Sequence, residues 1–242
     1  MIQLKGKNAL ITGSSRGIGQ QIALGLARLG CNIIVHGRST KSCSKTLELL
    51  KDYNIKIYCV SGELSSESLV KRLIEQVISL NIPIDILYNN AAIGSQHRED
   101  FWAHSWEDWL NTYKVNVLAM YSLCAAFIPQ MIEKGFGRVV NTSSGIMNQP
   151  ELAPYGASKW AVNKLTDDLA FKLKGTGVRI NTLDPGWIRT DMGGQNADHP
   201  VEAVIPGALA PILIDDEGPN GEFFSAIDHT MDLDAYNALL IK

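Results

Sequence analysis

A phenol, an amine and two hydroxyls make the most reactive grouping in this chain. Tyr155-Gly156-Ala157-Ser158-Lys159 sets a tyrosine and a lysine four residues apart, so that on a helix they share one face. An ammonium beside a phenol favours the phenolate, and a phenol starting near a pKa of about 10 needs such help to exchange protons at neutral pH. Ser143 and Ser144 precede Tyr155 by twelve and eleven residues, directly after a β-branched run, and either hydroxyl can meet the same substrate oxygen. A Tyr and Lys at this spacing also arise as a purely structural contact; the serines turn the reading toward proton transfer with a substrate oxygen.

A second chemical signal is the turn Thr12-Gly13-Ser14-Ser15-Arg16-Gly17-Ile18-Gly19, between a strand pattern and a helix pattern. Glycines there let the backbone approach a pyrophosphate, Gly19 lets helix and sheet pack closely, and the helix N-terminus attracts the anion. The spacing is GxxxGxG rather than GxGxxG, and the absence of a GK[ST] ending argues against a nucleoside-triphosphate loop. The next strand ends in His36-Gly37-Arg38-Ser39, with no carboxylate to bind the two ribose hydroxyls of NAD. A guanidinium at Arg38 can instead fork onto a 2′-phosphate, with Arg16 within reach of the same group, so NADP(H) is the expected cofactor. The plainer reading of Arg38 is a solvated surface residue.

Strands are expected at Asn8–Thr12, Asn32–His36, Ile57–Ser61, Ile84–Tyr88, Arg138–Asn141 and Val178–Leu183, with a last one around Gly221–Phe224. Helices are expected at Gly17–Leu29, Ser42–Tyr53, Ser65–Leu80, Trp106–Glu133 and Pro154–Lys174, the fourth capped by Ser105 and Asp108, with a short helix around Val201–Ala210. Strands apolar on both faces and joined by helices demand a parallel sheet covered on each side, a doubly wound α/β class. One domain is expected over residues 1–242, and the polar stretch Arg189–Pro200 and the helix after it suggest a substrate lid around 189–210.

Over essentially its full length the chain resembles the short-chain dehydrogenases/reductases: TGSSRGIG, NNAA, NTSS, YGASK and DPGWIRT follow in that family's order. The resemblance implies a Rossmann-type fold with a seven-stranded sheet and hydride transfer between NADP(H) and a carbonyl or secondary alcohol. It assigns Tyr155 as acid/base, Lys159 as the group that lowers its pKa and holds the nicotinamide ribose, and Ser144, or else Ser143, as hydrogen-bond donor to the carbonyl. Asn116 would hold a water in a proton relay. Gly13, Ser15, Arg16, Gly17, Ile18 and Gly19 would surround the phosphates and Arg38 the 2′-phosphate. Glu63 and Leu64 would lie near the adenine, and Asn90 and Ala91 beside the adenosine ribose. Pro185, Gly186, Ile188 and Thr190 would meet the nicotinamide amide. A homo-oligomer, dimer or tetramer, is also implied.

The chain departs from the family at Ala92, Glu63 and Asp184, where glycine, aspartate and asparagine are commoner, and its Ser144-to-Tyr155 spacing is short. Its ending, Gly221-Glu222-Phe223-Phe224, resembles the carbonyl-reductase branch more than the fatty-acid-type reductases.

With 242 residues, 45% hydrophobic and 19% charged, the chain can bury a large core. A net charge of -3 without a run of like charges gives a nucleic-acid backbone nothing to hold. No leader is expected in MIQLKGKNALITG and no membrane span elsewhere. Cys31, Cys43, Cys59 and Cys124 are scattered, which suits free thiols and a cytoplasmic setting. Trp102, Trp106, Trp109 and Tyr113 form an aromatic stripe expected to lie in the core or a subunit contact, with a substrate pocket as the other reading. His97 and His104 read as loop residues, and Asp215, Asp216 and Glu217 as a solvated turn. The rival to an enzyme is a non-catalytic NADP(H)-binding sensor or scaffold, which has no need of a proton relay.

Overall fold

The computed structural model describes residues 2–228. Seven parallel strands, β1 (Asn8–Ile11), β2 (Asn32–Gly37), β3 (Ile57–Ser61), β4 (Ile86–Asn89), β5 (Gly137–Thr142), β6 (Val178–Asp184) and β7 (Phe223–Ser225), form one sheet in the order β3-β2-β1-β4-β5-β6-β7. The order reverses beside β1, where β2 lies on one side and β4 on the other. In such sheets ligands bind beyond the carboxyl ends of the strands at the reversal.

Alternate residues of each strand feed two cores. Ala9, Ile11, Ile33 and Val35 face α1 (Gly17–Arg28) and α2 (Thr40–Leu50). Leu10, Ile34, Leu87, Val139 and Ile180 face α3 (Glu67–Ser79), α5 (Met120–Lys134) and α6 (Ala153–Lys172). Helices on both faces satisfy strands that are apolar on both sides. The chain is a single Rossmann-like α/β domain, as its alternating pattern predicts.

The long helix expected at Trp106–Glu133 has three parts: α4 (Trp106–Tyr113), a π turn over Lys114–Ala119, and α5. Ser105 and Asp108 cap it reciprocally, as their spacing predicts. The helical run Trp106–Lys134 is 29 residues long and its most apolar 18-residue window has mean hydropathy 1.6, long and apolar enough by length and composition to cross a membrane. Half of its most apolar window is buried inside the fold, however, and α5 packs on α3 and the sheet, which accounts for its composition.

Trp102 and Trp106 are 87% and 83% exposed, so these two members of the aromatic stripe are not core. In the second half of the expected lid, Val204, Ala208 and Leu209 are buried against α1 and the sheet, and α7 (Ala210–Leu213) continues that core through Ile212 and Leu213.

The acidic turn has a structural task as well. Arg138, on β5, is fully buried; it donates to Asp216 at 2.7 Å and to the carbonyls of Gly137, Gly177 and Ile214. Burial lowers its pKa, and Asp216 opposes that. Removing the carboxylate leaves a buried cation with neutral acceptors only. Asp216→Ala is expected to cost about 1–3 kcal/mol in urea unfolding, against at most about 0.5 kcal/mol for Glu217→Ala.

Candidate active site

Tyr155 stands in the first turn of α6 and Lys159 one turn later, both turned toward the end of β5. Lys159 is buried and donates from Nζ to the Thr142 carbonyl at 2.8 Å; the same ammonium lies 5.5 Å from the centroid of the Tyr155 ring. Burial lowers its pKa to about 8, while the Asp184 carboxylate works to raise it. It stays largely protonated at neutral pH.

The two candidate serines separate clearly. Ser143 is buried, its N–H bonded to Leu183 O at 2.7 Å and its hydroxyl donating to Lys159 O at 3.3 Å. Ser144 is half-exposed; its Oγ accepts from Ile146 N–H at 3.2 Å, and it lies near enough to the Tyr155 hydroxyl to draw the phenol's pKa down. Ser144 is therefore the serine placed to share a substrate oxygen with the phenol. Burial pushes the Tyr155 pKa up; the Ser144 hydrogen bond pulls it down, and the Asp184 charge adds to the rise. Lowering of the phenol by Lys159, expected from spacing, is not the dominant influence, because the ammonium is directed to Thr142 rather than to the phenol oxygen.

Asn116 sits within the π turn, a distortion frequent at functional sites. Its Oδ1 accepts from Ile93 N–H at 2.9 Å, and its Nδ2 donates to Ile93 O and to Ser158 Oγ, both at 3.0 Å. Ser158 in turn donates to Tyr155 O at 2.7 Å. Both amide hydrogens are spent in tying the loop after β4 to the turn of α6 that carries Tyr155. These bonds give the Asn116 side chain a positioning role.

The glycine turn lies across the cleft. Gly13, with φ +66°, has no room for a side chain: a Cβ would stand 3.0 Å from Ala91 Cα. At Gly19 a Cβ would meet Asn90 Nδ2 and Gly13 O at 2.5 Å. Thr12 Oγ1 accepts from the N–H groups of Asn90 and Ala91 at 3.0 Å, and Asn90 Nδ2 donates to Thr12 O at 2.9 Å. The Asn90 amide thus supports the turn from beneath. The N-terminus of α1 has no side-chain cap and no acidic residue in its first turn, which leaves its amides open to an anion. Ser15, Gly17 and Ile18 are half-exposed around it.

Arg38 is exposed beyond β2 and has no ion-pair partner among the described residues. Arg16, by contrast, pairs with Asp191 at 3.1 Å. Glu63 is exposed and Leu64 buried at the end of β3. After β6, Pro185 and Ile188 are buried, Gly186 takes φ +79°, and Thr190 packs over Gly17, with its methyl 3.5 Å from where a Cβ would be. All the predicted residues line one sheet edge. The donor-rich helix end and the glycine cradle fit the pyrophosphate of a nicotinamide dinucleotide.

His36 and Asp184 carry roles that spacing alone did not reveal. Nδ1 of His36 accepts from Gly13 N–H at 3.0 Å, so Nε2 bears the proton and donates to Gly62 O at 3.1 Å. The ring bridges the glycine turn and the loop after β3, and burial drops its pKa from 6.5 to about 4. Between those values the unfolded chain takes up a proton that the native ring refuses, so stability falls as pH is lowered through that window, by up to about 3 kcal/mol. Urea unfolding from pH 7 to pH 4 is expected to show this slope reduced in His36→Asn.

The family model of the short chain dehydrogenases matches residues 7–200. A gluconate 5-dehydrogenase of Gluconobacter oxydans (strain 621H) is 34% identical over 194 residues, 79% of this chain and 75% of that one. The 3-oxoacyl-(acyl-carrier-protein) reductase of Aquifex aeolicus (strain VF5) is 34% identical over 194 residues, 79% and 77% of the two chains. Among solved structures, a 3-oxoacyl (acyl-carrier-protein) reductase from Agrobacterium tumefaciens C58 with NADP bound superposes with a TM-score of 0.81 at 27% identity, covering 92% of this chain and 93% of the other. The fold, the site geometry and these matches place the chain in the short-chain dehydrogenase/reductase family, whose oxidoreductases act on alcohol and carbonyl groups.

Proposed function

We propose that this chain is an NADP(H)-dependent carbonyl reductase in which Tyr155 is the general acid/base. The observation that carries the reading is the Ser144–Tyr155 hydroxyl pair at the mouth of the cleft, with the Lys159 ammonium buried behind it. A bound nicotinamide supplies the hydride. Ser144 and Tyr155 offer two hydroxyls to one carbonyl oxygen, and Tyr155 delivers the proton as negative charge develops there. Lys159 stabilises the phenolate left behind. Asn116 positions the turn of α6 that carries Tyr155, and the Lys159–Thr142 contact fixes that helix against β5.

Arg38 supports NADP(H) over NAD(H), because it is the unpaired guanidinium beyond β2, where a 2′-phosphate would lie. Arg16 adds to it only after leaving Asp191. Gly13, Ser15, Gly17, Ile18 and Gly19 take the phosphates; Glu63, Leu64, Asn90 and Ala91 border the adenosine; Pro185, Gly186, Ile188 and Thr190 border the nicotinamide. In this reading residues 1–242 are one catalytic domain, cytoplasmic and homo-oligomeric, with Arg189–Pro200 as the part of the lid able to close.

Purified protein is expected to oxidise NADPH with members of a panel of ketones, aldehydes and 3-oxoacyl thioesters. Tyr155→Phe should lose at least about a thousandfold in kcat while keeping its NADPH Kd within about threefold, in line with loss of an acid/base group. NADPH binding without turnover on any substrate would favour the sensor reading. In a separate titration, NADPH should bind at least about tenfold tighter than NADH, and Arg38→Ala should bring the two dissociation constants to within about threefold.

A further inference from the structure

Asp184 closes β6, one residue beyond the point where Leu183 pairs with Thr142 on β5 and accepts from Ser143 N–H. It therefore stands beside the loop that carries Ser144. One carboxylate oxygen is fixed: Oδ1 accepts from Gly186 N–H at 2.9 Å. The other, Oδ2, is turned toward Gly145, at 2.6 Å from where a Cβ would be, so a side chain at 145 would displace it. Gly145 is what allows an acid at 184 to reach the cleft face next to the catalytic serine. No donor among the described residues meets Oδ2.

The charge is felt at the reacting groups, since it bears on both Tyr155 and Lys159. It is not neutralised from the substrate side. Lys159 is buried behind the phenol and directed to Thr142 O. Arg16 is paired with Asp191, and Arg189 donates to the carbonyls of Ala197 and Asp198. A half-buried carboxylate oxygen without a donor is a binding group for a substrate O–H or N–H, and it repels a second carboxylate in the same cleft.

Resting on the carbonyl-reductase reading, we propose that Asp184 is a specificity-determining residue: it selects carbonyl substrates bearing a hydrogen-bond donor next to the carbonyl and rejects those bearing a carboxylate there. The substrate class is thus hydroxy- or amino-ketones rather than oxo acids. Nothing in this assignment depends on turnover, so it can be tested by binding.

The probes are hydroxyacetone and pyruvate, ketones of equal carbon number that carry a hydroxyl and a carboxylate at the neighbouring carbon. Each is titrated into Tyr155→Phe protein loaded with NADPH, with the fluorescence of the bound reduced cofactor as readout, and again with Asp184→Asn added. Hydroxyacetone is expected to bind at least about tenfold tighter than pyruvate when Asp184 is present, and the ratio should collapse to within about threefold once Asp184→Asn is introduced. Asp184→Ser serves the same purpose should the asparagine variant fail to fold. An unchanged ratio, a preference for pyruvate with Asp184 present, or no binding of hydroxyacetone overturns the proposal. Turnover by the protein with Tyr155 intact judges the reductase reading separately.

Discussion

Lys159 carries its charge to a place where only 2% of its surface meets solvent. An ammonium so placed must find an oxygen or give up its proton. It finds the Thr142 carbonyl at the end of β5, and that single contact fixes the register of α6 against the sheet. Ser143 completes the seam by donating to the carbonyl of Lys159 itself. With the seam closed, Ser144 is the next residue out and Tyr155 is one turn back along the helix, which brings the serine close enough to bear on the phenol. The geometry of the candidate site follows from how a buried cation is satisfied.

The far wall of the cleft is built on the opposite economy of space. Gly13 and Gly19 are small because backbone and the Asn90 amide occupy the volume a side chain would need. His36 then holds Gly13 from one side and the loop after β3 from the other. A carboxylate or a protonated ring in that position could not accept and donate in the same way, since the Gly13 contact needs a lone pair and the Gly62 contact a proton. The neutral imidazole is the side chain whose two ends match that demand, and its burial keeps it neutral.

Much of this was legible in the sequence. Parallel strands betray themselves by runs apolar on both faces, as in Asn32–Gly37 and Val178–Asp184, and the catalytic candidates follow from a helical spacing of four. What periodicity could not show was partnership across the fold. Asn116 was visible as an isolated asparagine on a helix, but its saturation by Ile93 and Ser158 depends on a loop 23 residues earlier and a helix 42 residues later. The choice between Ser143 and Ser144 turned on which hydroxyl the backbone of α6 consumed. The stretch after Pro200 reads as a short helix and a lid, and its composition does not say that α1 packs over it. Trp102 and Trp106 show the same limit, since aromatic residues at helical spacing describe a face without saying what packs on it.

Asp184 and Ser144 pull the phenol in opposite senses, and the balance bears on which half of the proton cycle the site is equipped for. The carboxylate raises the affinity of both Tyr155 and Lys159 for protons, and burial of the phenol acts the same way on Tyr155. The Ser144 hydroxyl, at the substrate side, favours the phenolate but does not outweigh them. Tyr155 therefore stays protonated, ready to give its proton to an oxygen on which charge is developing. For the reverse reaction the same tyrosine must first lose that proton into a cleft that already holds a carboxylate. On the carbonyl-reductase reading, an acid at position 184 holds the tyrosine in the form that can give up a proton, and the same charge opposes an anionic substrate.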